Sequence, residues 1–317
     1  MTTYLLKRLA LVIPTLLGIT LIVSLSVRFL PGNIVDQLLG DEASFVNPET
    51  RAAMEARFSL DQSPMAQYVT WTGDLVQGDL GRSLISGRAI TEDLKVRLPV
   101  TMQLGLMGLI VAVIIAIPVG VISAVRQDGP IDYITRSFAV VLLATPNFWI
   151  ALLAITYGFI LFDWTPPLAY SKPWDDLPAN IRSLWVPALI LGTHATGSIM
   201  RIMRATMLET LRQDYIRTAW SKGLRERSVV MRHAFRNAFI PVITVIGLQI
   251  PSLVGGTVIL ERIFSIPGMG NYLLNSIQQR DYPVVQAVVL VTAFVVVFTN
   301  LIVDVTYAII DPRIRYS

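Results

Sequence analysis

Cysteine is missing from all 317 residues, so disulfides and thiolate metal sites are excluded. Histidine occurs only at His194 and His233, too far apart in sequence to suggest a histidine-based metal centre. Charge is also scarce. Asp, Glu, Lys and Arg make up 15% of the chain, against about 25% in a typical soluble domain. No Gly-x4-Gly-Lys-Ser/Thr phosphate loop occurs, so the chain is not expected to bind ATP. There is no His-Glu-x-x-His and no convincing Ser/His pair to support an intramembrane enzyme.

What the chain has instead is apolar residues: 53% of the total, with a mean hydropathy of +0.59. They fall in long blocks, the signature of membrane spans. Six blocks are long enough, at about 1.5 Å per helical residue, to cross a hydrocarbon core of about 30 Å. They cover residues 9–30, 100–125, 137–162, 184–203, 239–260 and 283–310. The expected fold class is an all-α membrane protein with six transmembrane helices. The first block follows Lys7-Arg8 and no small-residue cleavage site follows it, so it reads as an uncleaved signal anchor.

Lys and Arg near span ends set the orientation. With the N-terminus inside, the cytoplasmic pieces hold fifteen of the twenty-six basic residues, nine of them between Arg201 and Arg236. Ten acidic residues lie between Pro31 and Pro99, on the opposite side. Both termini are therefore expected in the cytoplasm. Residues 1–99 read as one helix plus an external cap of short helices, and 100–317 as a five-helix core. The external loop 163–183 carries Trp164, Tyr170 and Trp174, which fit either an interfacial aromatic belt or the mouth of a pathway.

Between the fourth and fifth blocks lies the most informative segment, the basic stretch 204–241. Asp214 is a good helix cap. Eight residues of potential helix follow it, then Lys222 at the negative end of the dipole and Gly223 where a left-handed residue ends a helix. A two-turn helix is too short to be stable alone in water, so it needs a surface to pack on. That surface is either its own protein or a cytoplasmic partner. A second helical stretch, 225–239, leads into the fifth block.

Polar residues inside the blocks are candidates for a pathway. Thr193, His194, Thr196, Gly197 and Ser198 cluster in the fourth. His194 has three readings: lining a channel, contacting a partner chain, or donating to a backbone carbonyl. Thr292, Asn300 and Asp304 share roughly one face of the sixth. In the fifth, Gln249 and Ser252 accompany Gly247, Gly255 and Gly256, whose small size also suits close helix packing.

The segment Arg217-Thr218-Ala219-Trp220-Ser221-Lys222-Gly223 resembles the "EAA" coupling loop of ABC importer permeases, with Ala219 and Gly223 matching the general signature. The departures resemble the dipeptide/oligopeptide (DppB/OppB-like) branch, in Asp214–Leu224 and in His233-Ala234-Phe235-Arg236-Asn237-Ala238-Phe239-Ile240-Pro241. Further resemblance lies in Gly78-Asp79-Leu80-Gly81, Arg97-Leu98-Pro99, Ile263 to Gly270, Arg280-Asp281-Tyr282-Pro283 and Asp311-Pro312-Arg313-Ile314-Arg315. Pro31-Gly32-Asn33-Ile34 departs from that branch's usual Pro-Gly-Asp-Pro.

The resemblance implies the type I ABC importer permease fold in a prokaryotic plasma (inner) membrane. It implies a second homologous permease, two cytoplasmic ABC ATPases that bind ATP and Mg²⁺, and an extracytoplasmic solute-binding protein. Small peptides are the expected cargo, and the branch also includes importers of nickel, glutathione and oligosaccharides. On this reading Asp214 caps the coupling helix, and Tyr215, Thr218, Ala219 and Lys222 face or border the ATPase. Gly223 makes the turn, and Arg236 and Asn237 hold the second helix against the first. Thr193, His194, Ser198, Gln249, Thr292 and Asn300 are the expected pathway residues. The rival is a stand-alone secondary transporter. It would be expected to show inverted repeats or charges deep in several spans, and neither is seen.

Overall fold

The computed structural model describes residues 2–28, 35, 47–57, 61–167 and 169–310. The motifs at 31–34 and 311–315, and the side chain of Asp304, lie outside the described residues. Among the described residues every regular element is helical, apart from one isolated antiparallel bridge between Arg82 and Ala89.

The chain forms two compact units. The first takes the described residues up to 100 and residues 267–298. It begins with α1 (Thr2–Arg28), α2 (Pro48–Arg57) and α3 (Pro64–Val76). Ser63 starts α3 by accepting from Ala66 N, with Pro64 in the first turn, where its missing N–H costs nothing. Tyr68 of α3 donates to the Leu17 carbonyl at 3.0 Å and so ties the cap to α1.

The start of α4 (Ile90–Val125), α11 (Met269–Gln278) and the start of α12 (Tyr282–Ile310) build the core of this unit around Ile90, Leu94, Met269, Val284 and Val288. Asp281, 2% exposed, accepts from Ser83 Oγ and from Leu84 N at 3.1 Å. The Gly78–Gly81 and Arg280–Pro283 motifs thus flank one buried hydrogen-bonded joint. Tyr272 donates to Asp93 at 3.0 Å and lies under Arg97. Burial, reinforced by that bond to a carboxylate, pushes its phenol above the usual range.

The second unit takes the described residues from 101 to 266 and from 299 to 310. Its helices are the rest of α4, then α5 (Pro130–Ala144), α6 (Asn147–Phe162), α7 (Leu177–Leu211) and α8 (Asp214–Ser221). A helical turn α9 (Glu226–Ser228) and a π-helical turn (Val229–Ala234) then run into α10 (Phe235–Ile263).

The sequence suggests one span over 137–162. The structure has two helices there, α5 and α6, meeting at 101°. Pro146 disfavours helical backbone at the residue before it, and Thr145 sits at ψ 123°. Ile90–Val125, Glu226–Leu253 and Tyr282–Val303 are long and apolar enough to cross a membrane, and the bent pair counts as a fourth. A shorter apolar run, Ala10–Ser26, lies in α1.

α7 touches α4 through small residues. A Cβ on Gly192 would lie 2.6 Å from the Gly108 carbonyl oxygen, so the two backbones meet with no room for a side chain. Outward, α5 and α6 expose Ile134, Phe138, Val141, Phe159 and Phe162. Such a surface is costly in water and suits lipid or another apolar chain.

Candidate functional site

The basic segment 204–241 is almost entirely helical. α7 extends past the expected span end at Met203 to Leu211, so Arg204–Leu211 continues that helix. Only Arg212-Gln213 separates it from α8, and only Lys222–Arg225 separates α8 from the helical turn that enters α10. Gln213, rather than Asp214, takes the extended cap conformation, with φ −72° and ψ 150° and no side-chain cap bond. Asp214 is the first helical residue instead, where its carboxylate favours the positive end of the helix dipole. At the other end Gly223 has φ +71°, and its N–H donates to the Trp220 carbonyl at 2.9 Å. This is the left-handed termination that the sequence suggests.

α8 has two distinct faces. Ile216 and Ala219 are buried, at 0% and 5% exposure. They join a core with Met203 and Met207 of α7, Val229, Val230 and Ala234 of the π turn, and Ala238 of α10. Around and beyond that buried stripe Asp214, Tyr215, Thr218, Trp220 and Lys222 are exposed. Ala219, expected to face or border a partner, lies against its own chain here. The i, i+3 pair Ile216/Ala219 seats the helix on its own chain, and among the residues left exposed is Trp220, 45% exposed, which sequence reasoning passed over. An exposed Trp on a short polar helix is the signal that marks it, because a solvated face has no need of one.

Asn237 and Tyr215 do come together: Asn237 Nδ2 donates to Tyr215 Oη at 2.8 Å and links α10 to α8. Arg236 is exposed nearby and forms a basic surface with Arg225, Arg227 and Arg232.

A buried ion pair supports this seat, and sequence reasoning missed it. Asp132, at 0% exposure, receives Arg204 Nε at 2.6 Å and an Arg204 terminal nitrogen at 2.7 Å. Ser123 Oγ donates to the same carboxylate at 2.6 Å, and Asp128 N at 3.0 Å. The fork-on-carboxylate geometry ties α4, α5 and the extension of α7 together one turn before Met207 enters the core beneath α8.

The expected pathway residues are dispersed. On α7 His194 is exposed, Thr193 and Ser198 are half-buried, and Thr196 is buried with its hydroxyl turned back to the Gly192 carbonyl. Thr193 Oγ1 lies 3.1 Å from Asn147 Oδ1 of α6. Gly197 packs against the Ala139 backbone. On α10 Gln249 is half-buried and accepts from Ser252 Oγ at 3.2 Å. Thr292 donates to the Val288 carbonyl in the first unit, whereas Asn300, half-buried, belongs to the second. Among the described residues no group of three or more His, Cys, Asp or Glu is arranged to hold a metal ion.

A family model described as "Binding-protein-dependent transport system inner membrane component" matches residues 116–316. The chain is 37% identical to the dipeptide transport system permease protein DppB of Alkalihalophilus pseudofirmus, over 100% of both chains. It is 39% identical to the oligopeptide transport system permease protein AppB of Bacillus subtilis, again over 100% of both. Identity to the dipeptide transport system permease protein DppB of Escherichia coli is 36%, also over 100% of both. Among solved structures, an amino acid ABC transporter crystallised with histidines is similar in fold, with a TM-score of 0.52 at 13% identity. That match covers 68% of this chain and 94% of the other.

Proposed function

We infer, from the fact that this chain belongs to the family of binding-protein-dependent transport system inner membrane components, that it is half of the membrane pathway of an ATP-driven importer of small peptides. The peptide class rests on relatives named as dipeptide and oligopeptide permeases that match along their whole length. In this reading the chain crosses the membrane six times with both termini in the cytoplasm, α1 and α7 completing the set of spans. It pairs with a second permease, receives solute from an external binding protein and works with two cytoplasmic ATPases. ATP and Mg²⁺ bind to those ATPases, and hydrolysis is theirs.

The observation that carries the coupling role is the two-faced geometry of α8. An ATPase can drive this chain only by holding some element differently in its two states. α8 exposes two aromatics, Tyr215 and Trp220, while Ile216 and Ala219 fix it to α7 and α10 at once. A push on the outer face would therefore reach both long helices as a rigid displacement rather than be lost in a flexible loop. The exposed or half-buried His194, Ser198 and Gln249 are the proposed pathway contacts.

The direct test is uptake by the assembled transporter in proteoliposomes. ATP-dependent accumulation of a labelled dipeptide, competed by unlabelled peptides and not by nickel, glutathione or an oligosaccharide, is the expected result. Accumulation of one of those competitors in place of peptides would reassign the substrate. Transport with no ATPase present would support the stand-alone transporter instead.

A further inference from the structure

A cavity of about 260 Å³ opens between α5 and α7. Ala139, Leu143 and Met200 give it apolar walls, and Arg136, Arg201 and Arg204 give it a basic rim. The three guanidinium groups are not equivalent. Arg204 is committed to Asp132, with Nε and one terminal nitrogen both used. Arg136 and Arg201 are exposed, and among the described residues neither forms an ion pair. Arg136 lies 5.7 Å from the centre of the Tyr133 ring, a contact that directs the side chain without neutralising it. Three cations therefore surround this cavity, and one buried carboxylate answers only one of them.

A ligand that fits has two parts. An anion with several oxygens satisfies two free guanidinium groups, and phosphate matches their fork geometry. A free phosphate would leave the apolar walls unfilled, at a cost in unburied surface. A phosphate carrying an acyl chain fills both. The adjoining outer face of α5 is apolar too, with Ile134, Phe138 and Val141 each more than half exposed or close to it. A chain leaving the cavity would thus continue along a lipid-compatible surface.

We propose that this cavity binds an anionic phospholipid, with its phosphate between Arg136 and Arg201 and an acyl chain against Ala139, Leu143 and Met200. The site rests on the reading above that places these ends of α5 and α7 at the cytoplasmic face. Basic pockets between helices on that side of a membrane suit such headgroups. Because Arg204 joins the cavity rim to the extension of α7 that supports α8, bound lipid would stiffen the base of the coupling element.

The test uses the full chain purified from membranes with its co-purifying subunits, then delipidated in detergent. Phosphatidylglycerol or phosphatidylcholine is titrated in, and retained lipid is counted by native mass spectrometry. Phosphatidylglycerol is expected to be retained at about thirtyfold lower concentration than phosphatidylcholine, the scale set by two basic contacts. R136Q/R201Q is expected to abolish that preference, and R136K/R201K to keep part of it. The preference of the unsubstituted chain decides the matter even where the glutamine variant does not accumulate. Equal retention of the two lipids, or an unchanged preference in R136Q/R201Q, overturns the proposal. Inorganic phosphate separates the two sources of the anion. If phosphate alone displaces phosphatidylglycerol at comparable concentration, the site takes a free anion and the lipid assignment fails. Lipid counting needs no transport, so a failure of the peptide-import reading leaves this result legible on its own.

Discussion

Gly223 stands at φ +71° with open space where a Cβ would go, so the penalty for any other residue there comes from the backbone alone. Gly223→Ala is expected to cost about 1 kcal/mol locally and to fray the end of α8 while the protein remains inserted in the membrane. ATPase stimulation by solute-loaded binding protein should fall, and membrane abundance should not. Equal loss of both would mean that the turn matters for folding only. Trp220 and Ala219 make a sharper pair, because these neighbours differ in exposure, 45% against 5%. Trp220→Ala removes an exposed aromatic and leaves the seat intact; it should weaken ATPase co-purification by about 2 kcal/mol or more with normal protein levels. Ala219→Arg forces a long cation into a site 5% exposed. It should lower the amount of folded protein, measured by detergent-solubilised thermal stability, before any question of coupling arises. The order of these effects would reverse if Ala219 were the contact and Trp220 the anchor.

At the scale of elements, the Asp132–Arg204 pair ties the C-terminal part of α7 to α5 and, through Ser123, to α4. Replacing one partner strands the other charge where it has little access to water. Asp132→Asn is therefore expected to destabilise the chain by about 3 kcal/mol, at the low end of such losses because Arg204 keeps 19% of its side-chain exposure. Thermal unfolding in detergent measures it, and a double variant D132N/R204Q should recover part of the loss. Equal stability of both variants and the parent would remove the pair from the account.

Much of this level was legible in the sequence. Gly223, the eight-residue helix and the helical lead into α10 all follow from local rules of capping and chain stiffness, which need no knowledge of distant partners. The bend at Thr145-Pro146 was equally local, yet the apolar run across it hid the break, since hydropathy counts length and ignores backbone geometry. The seating of Ala219 and the Asp132–Arg204 pair were not legible. Both depend on which helices lie side by side, and a segment of mixed polarity does not reveal which of its faces is turned inward.

For the whole molecule, the second unit reads as a transmission built from stiff parts. Three helical segments, α7, α8 and the run from Glu226 to Ile263, share one core, with connections of only a few residues between them. Where backbones touch, as at Gly192 and Gly108, relative sliding is resisted, and motion should pass along the helices instead. The absence of cysteine from the chain makes the central claim, that the outer face of α8 meets a cytoplasmic ATPase, directly measurable. A single cysteine at Thr218, an exposed position on that face, is to be treated with a short cysteine-to-lysine crosslinker in the assembled, transport-competent complex. The account predicts a covalent adduct between this chain and the ATPase subunit, with a yield that changes between ATP-bound and nucleotide-free states. No adduct in any nucleotide state, from a complex that still transports, would contradict it.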